Sequence, residues 1–197
     1  MIPETLLLQH GARLVHVDSG DMIFQQEEHA RNFYQIRHGQ IRITTINESG
    51  KEFIQGMFGS GESFGEPALF ADIQYPASAT ALIPTDLIVM AKDLFLAFLA
   101  NHPEYYLVML HRLSLRLHYK ATIAQAISTE QAETRILTLI DYLKQKEGKR
   151  KGETFQVILT RQQIADLIGL RVETVIRAIG SLKHKKEIQV RHGRILR

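Results

Sequence analysis

The apolar residues change their period once along this chain, at about Ala91, and that change limits the fold more than any other feature. From Ala12 to Ala91 they fall in short runs with partial alternation, over 13–17, 22–25, 33–37, 40–46, 53–58, 77–83 and 87–90. Turn residues separate the runs, at Asp18-Ser19-Gly20-Asp21, His38-Gly39, Glu48-Ser49-Gly50 and Gly59-Ser60-Gly61. Successive side chains of a strand point to opposite faces, and Ile41, Arg42, Ile43 and Thr44 alternate as a half-buried strand does. Strands this short and evenly spaced predict a β-barrel or jelly roll.

Beyond Ala91 the period becomes helical. Residues 92–101 predict a short helix, and Pro103 is placed to open the next. A long helical stretch then runs to about Ile127, with Leu110, Leu113, Leu117, Ala124 and Ile127 at a and d heptad positions and Lys120 as the exception. A helix of roughly 25 residues is ~37 Å long, more than a small β-domain needs for its own cover. Its apolar seam is therefore a candidate dimer interface, with packing against the barrel as the plainer alternative. Ser128-Thr129, followed by Glu130, Gln131 and Glu133, predicts a new helix start. That helix carries Ile136, Leu139, Ile140 and Leu143 and ends at Glu147-Gly148, ahead of the basic loop Lys149-Arg150-Lys151-Gly152. The expected fold class is α+β, with a β-rich part over 1–101, a candidate dimerisation helix over 102–128 and a third part over 129–197.

The third part is helical and basic. Residues 1–128 hold 9 Lys+Arg against 13 Asp+Glu, a balance of −4, whereas residues 129–197 hold 15 against 8, a balance of +7. Such asymmetry points to a polyanionic partner for the C-terminal part, against the blander reading of a solvated surface. Thr160-Arg161-Gln162-Gln163 has the capping-box pattern of a helix start, and Gly169 stops that helix. Residues 171–183 form a second helical segment, with Val175, Ile179 and Leu182 on one face. Two short helices about a glycine-containing turn make a helix-turn-helix. Residues 188–197 predict a hairpin turning at His192-Gly193, the wing.

On the second helix Glu173 and Arg177 are four residues apart and share a face. A carboxylate accepts from cytosine N4, and a guanidinium donates twice to guanine O6 and N7. The pair thus suits a G·C-containing half-site in the major groove of double-stranded DNA, while the structural alternative is an exposed Glu–Arg ion pair. Thr160, Arg161, Arg171, Lys183, Lys185, Lys186, Arg191 and Arg194 are candidates for phosphate contacts, which fix register and supply salt-dependent affinity.

Phe64-Gly65-Glu66 in a predicted jelly roll, a heptad helix, and Val172-Glu173-Thr174-Val175-Ile176-Arg177 in a winged helix-turn-helix resemble the CRP/FNR family of bacterial transcription regulators. The resemblance spans nearly the whole chain. It implies a homodimer that reads an inverted-repeat operator and works with RNA polymerase. It assigns base reading to Val172, Glu173, Ile176 and Arg177, and Val172 resembles the FNR-like branch, whose half-sites are of the TTGAT kind. Ile176 departs from the polar residue often found there, which leaves the outer base preference open. An event in the barrel is expected to shift the long helices and with them the recognition helices.

The resemblance also marks an effector pocket: Phe64, Gly65 and Glu66 as the cassette that cradles a cyclic nucleotide, with Ala77, Ser78 and Lys120 near it. A cAMP binder needs an arginine shortly after the cassette, and Pro76 stands there; its Thr/Ser pair on the long helix is replaced by Lys120-Ala121. Loss of a charge-assisted phosphate clamp argues against cAMP. The chain has no cysteine, which excludes an iron–sulfur cluster, disulfides and thiolate catalysis. Haem stays open as a cofactor, because His10, His16, His29, His38, His102, His111 and His118 all lie in the first two parts.

An enzyme is the first rival. The chain has no His-x-His pair for a cupin metal, no His-Glu-x-x-His, no phosphate-loop glycine run and no Gly-x-Ser-x-Gly elbow. The second rival is an effector-responsive binding module that acts through protein partners rather than DNA. No apolar run approaches ~18 residues, and the N-terminus lacks signal-peptide features, so no membrane is involved and a cytoplasmic location is expected.

Overall fold

The computed structural model describes residues 1–46, 52–129, 131–150 and 152–197. The predicted turn at Glu48-Ser49-Gly50, the acid Glu130 and the loop residue Lys151 lie outside the described residues. The chain divides into two compact units, Met1–Ser114 and Leu115–Arg197.

The first unit opens with α1 (Glu4–Gln9) and continues as strands β1 (Arg13–Val17), β2 (Met22–Phe24), β3 (Asn32–His38), β4 (Gln40–Ile46), β5 (Glu52–Gly59) and β6 (Ser63–Phe64). A short helix α2 (Glu66–Ala71) precedes β7 (Ser78–Ala81) and β8 (Thr85–Ala91), and α3 (Lys92–Asn101) follows directly. The strands form two antiparallel four-stranded sheets, ordered β1-β8-β3-β6 and β2-β7-β4-β5, as a jelly roll requires. β3 is central in its sheet and buries Phe33, Tyr34, Gln35 and Ile36 in succession, so it is covered on both faces. Phe33 stacks on Phe95 of α3 with ring centroids 3.9 Å apart. Buried Gln35 is satisfied by donating from Nε2 to the Ile2 carbonyl at 2.9 Å.

The alternation expected in β4 breaks midway. Its pairing with β5 shifts register between Ile43 and Thr44, and Thr44 is buried while Ile43 is only half-buried. An irregularity of this kind re-aims the strand's side chains. The predicted His38-Gly39 turn joins β3 to β4 with Gly39 at φ 115°, where a Cβ would lie 2.2 Å from Thr85 Oγ1. Only glycine meets both conditions.

α4 (Glu104–Thr129) runs for 26 residues and belongs to both units. The second unit continues with α5 (Ala132–Lys146), β9 (Gln156–Val157), α6 (Arg161–Ile168), α7 (Val172–His184), β10 (Gln189–Arg191) and β11 (Arg194–Leu196). The expected helix start at Ser128-Thr129 is corrected. Helix α4 continues through both residues, the Ser128 hydroxyl donates back to the Gln125 carbonyl at 2.8 Å, and α5 begins after Gln131. A serine whose hydroxyl is spent one turn back on its own helix caps nothing ahead. β9 adds a third strand to the predicted hairpin, in the order β10-β11-β9. Among the described residues no helix is long and apolar enough to cross a membrane.

Candidate functional site

In the second unit the helix start at Thr160 has the reciprocal geometry that the sequence suggests. The Gln163 amide donates to Thr160 Oγ1 at 3.1 Å, and the Thr160 amide donates to Gln163 Oε1 at 2.9 Å. Gly169 ends α6 at φ 67°, a left-handed conformation that favours glycine. α7 then buries Val175, Ala178, Ile179 and Leu182 on its inner face. Glu173, Ile176 and Arg177 are exposed on the other face, with Ile176 55% accessible, and Val172 at the first helical position is half-buried. Neither Glu173 nor Arg177 forms a hydrogen bond or ion pair with another described residue, so the Glu–Arg pair weighed above is not made. Their polar atoms are free for an outside partner.

The phosphate candidates divide in two. Arg171, Lys183, Lys186, Arg191 and Arg194 are exposed. Arg161 is half-buried and donates from Nη2 to the Gly193 carbonyl at 3.0 Å, tying the start of α6 to the turn of the wing. Burial lowers its pKa from the ordinary guanidinium value. Lys185 is held by Glu133 of α5 at 2.5 Å, and that hydrogen bond, with a second from Ser181, lowers the Glu133 pKa. Arg197 adds to the basic balance yet serves the fold. It grips both oxygens of Asp141 at 2.7 and 3.0 Å and also reaches Glu187.

In the first unit the cassette residues sit in the core. Phe64 is fully buried, and Gly65 caps α2 at φ 80°, where a Cβ would stand 3.2 Å from a Phe24 ring carbon and 3.3 Å from one of Tyr75. Glu66 is 1% exposed and has its own partner within the protein. Ala77 is buried, and Ser78 Oγ accepts from the Gln26 amide at 2.9 Å. Lys120 lies on α4 in the second unit. Sequence reasoning missed the aromatic cluster around this cassette. Phe24 stacks on Tyr75 with centroids 3.6 Å apart, and Tyr34 stacks on Phe64 at 5.2 Å. The signal was an aromatic residue in each of several neighbouring strands and loops, which no linear spacing connects. An open cleft of about 470 Å³ borders the cluster, lined by Phe24, Glu28, His29, Arg31, Tyr34 and Tyr75.

Of the histidines, His16 pairs with Asp86 at 2.7 Å across β1 and β8, and His10 and His102 bring their Nε2 atoms to 3.4 Å. His111 and His118 are exposed on α4, and His38 is exposed at the end of β3. Along α4, Leu107, Leu110 and Leu117 are 70%, 61% and 70% exposed, and Ser114, Ala121 and Ala124 share their heptad face. Leu113 and Ile127, expected in that seam, are half-buried and belong to the neighbouring stripe.

Residues 14–102 match the cyclic nucleotide-binding domain family, and residues 134–197 match the Crp-like helix-turn-helix domain family. The CRP-like cAMP-activated global transcriptional regulator of Mycobacterium tuberculosis is 27% identical over 180 residues, 90% of this chain and 80% of that protein. The nitrogen fixation regulation protein FixK of Bradyrhizobium diazoefficiens is 26% identical over 190 residues, 95% of this chain and 78% of that protein. Among solved structures, the c-di-GMP responsive regulator CLP of Xanthomonas campestris superposes with a TM-score of 0.78 at 18% identity, covering 98% of this chain and 96% of that one. FixK2 of Bradyrhizobium japonicum does so with a TM-score of 0.77 at 18% identity, covering 94% and 91%.

Proposed function

Since the chain belongs to the CRP/FNR family of transcription regulators, we propose that it acts as a homodimer that reads an inverted repeat of TTGAT-like half-sites in the cytoplasm. The observation that carries this reading is the outer face of α7, where Glu173 and Arg177 are exposed and unpaired with any described residue. A carboxylate and a guanidinium so placed suit cytosine N4 and guanine O6/N7 on neighbouring bases. Val172, as in the FNR-like branch, favours TTGAT. Arg171, Lys183, Lys186, Arg191 and Arg194 supply phosphate contacts, to which Arg161 and Lys185 add what their internal bonds leave over. The partner copy docks along Leu107, Leu110, Ser114, Leu117, Ala121 and Ala124, whose small members let two helices approach closely. RNA polymerase is the expected protein partner.

We propose that any effector held in the barrel is one other than cAMP. Pro76 offers neither charge nor donor where a phosphate-binding arginine is needed, and Lys120-Ala121 stands in place of the Thr/Ser pair of cAMP binders. The M. tuberculosis relative, named for activation by cAMP, differs from this chain in that respect under our reading.

The test is an anisotropy titration onto a duplex with two inverted TTGAT-like half-sites, against a scrambled duplex, at two salt concentrations. Tight and selective binding that weakens with salt supports the reading. Equal binding to both duplexes overturns the half-site assignment, and salt-insensitive binding overturns the phosphate contacts.

A further inference from the structure

His10 and His102 meet in the first unit, far apart in sequence, and the chemistry of their four ring nitrogens is constrained. His10 closes α1, and its Nδ1–H donates to the Leu6 carbonyl at 2.9 Å. A carbonyl only accepts, so the Nδ1 position carries the proton and the neutral ring presents a bare lone pair at Nε2. His102 closes α3, and its Nδ1 lies 3.6 Å from Glu104 Oε1, within ion-pair range and beyond hydrogen-bond range, so either ring nitrogen can carry the proton. The two Nε2 atoms face each other at 3.4 Å. The bare His10 Nε2 meets either a proton on His102 Nε2 or, with the His102 proton at Nδ1, a cation held between the two nitrogens.

We propose that these two imidazoles form the protein part of a transition-metal site for Zn2+ or a divalent ion of like size. Tetrahedral zinc with nitrogen ligands at ~2.0–2.1 Å sets neighbouring ligand atoms about 3.3 Å apart, close to the spacing present before any ion is bound. His10 has the outer partner that metal-binding histidines use, a backbone carbonyl that holds Nδ1–H and orients the Nε2 lone pair, and the Glu104 carboxylate stands 3.6 Å from the corresponding nitrogen of His102. The rings are also held by packing. Phe98, itself buried, lies edge-on to His10 with centroids 5.3 Å apart and sits 4.7 Å from His102. Among the described residues no third His, Cys, Asp or Glu completes the set, so water or an added ligand fills the other positions and the ion exchanges readily. An ion there links α1 to the joint between α3 and α4.

The experiment uses the untagged full-length chain, stripped of metal. Co2+ is titrated while the visible absorption of the tetrahedral ion is followed, and Zn2+ is then added in competition. The expected result is about one ion per chain, displaced by Zn2+, with affinity lowered by more than about tenfold in both His10→Gln and His102→Gln. His16→Gln should bind as wild type does. Zn2+ should also raise the melting temperature of wild type and of neither dyad variant. Absence of Co2+ binding by wild type overturns the proposal and leaves a pair that shares a proton alone. Unchanged binding in the two dyad variants overturns it as well. If one variant does not fold by circular dichroism, the other decides.

Discussion

Glu173 and Arg177 project from α7 with no internal task, so truncating either subtracts from recognition without subtracting from the fold. Glu173→Ala should reduce discrimination at one base pair by ~1–3 kcal/mol, read by competing the operator against duplexes changed at single positions. Equal losses on operator and scrambled DNA would remove Glu173 from the list of base readers. His16 makes a different kind of contribution. It faces Asp86 across β1 and β8, and the hydrogen bond to that carboxylate raises its pKa above 6.5. A raised histidine pKa stabilises the fold fully below 6.5 and ceases to do so as pH rises through the folded value. The melting temperature of wild type should therefore exceed that of His16→Gln at about pH 6 and converge on it toward about pH 8. A gap that widens with pH would refute the assignment. The gap is small, since both partners are largely exposed.

At the level of elements, the reciprocal bonds at Thr160 are the clearest single determinant. Thr160→Ala removes the acceptor for the Gln163 amide and should cost ~0.5–2 kcal/mol in urea denaturation of the full chain. No loss of stability would mean that solvent replaces the cap. This start was legible because its pattern is local, four residues long and tied to one geometry. β1, β4 and α3 were legible to their end residues because turn residues or a change of period mark their borders, even though the alternation inside β4 breaks midway. α1, β6 and β9 escaped, because stretches of six, two and two residues are too short to show a period. The join between α4 and α5 was misread, since serine and threonine followed by acids look alike in a cap and in a last helical turn. The long helix shows the limit of one-dimensional reading most plainly. It carries two apolar stripes one residue out of phase, one through Leu113 and Ile127, the other through Ser114 and Ala121. Spacing alone gives both stripes equal standing, and only burial separates the side already covered from the side left bare. The exposed positions of Glu173 and Arg177 on α7 were legible through the motif around them, whereas the engagement of Lys185 by Glu133 depends on residues 52 positions apart.

For the whole molecule, the proposed reading of an inverted repeat depends on a second copy. A two-fold reader places two recognition helices about one turn of DNA apart, ~34 Å. Leu110→Lys together with Leu117→Lys should put charge in the middle of the bare stripe and halve the mass seen by light scattering. An unchanged mass would move the dimer contact elsewhere. Salt dependence is also a property of the whole assembly. If a dimer makes roughly 6–10 phosphate contacts, affinity should fall by about 10³–10⁵ between 50 and 200 mM salt. Arg194→Ala should flatten that slope on every sequence alike, in contrast to Glu173→Ala. The separation of duties within α7 has an evolutionary corollary. Because its buried face is Val175, Ala178, Ile179 and Leu182, and Glu173 and Arg177 carry no bond to another described residue, one codon change at either proposed reader leaves the architecture intact. A lineage holding duplicates of this gene can re-address each copy to a new set of promoters in single steps, with no intermediate that fails to fold.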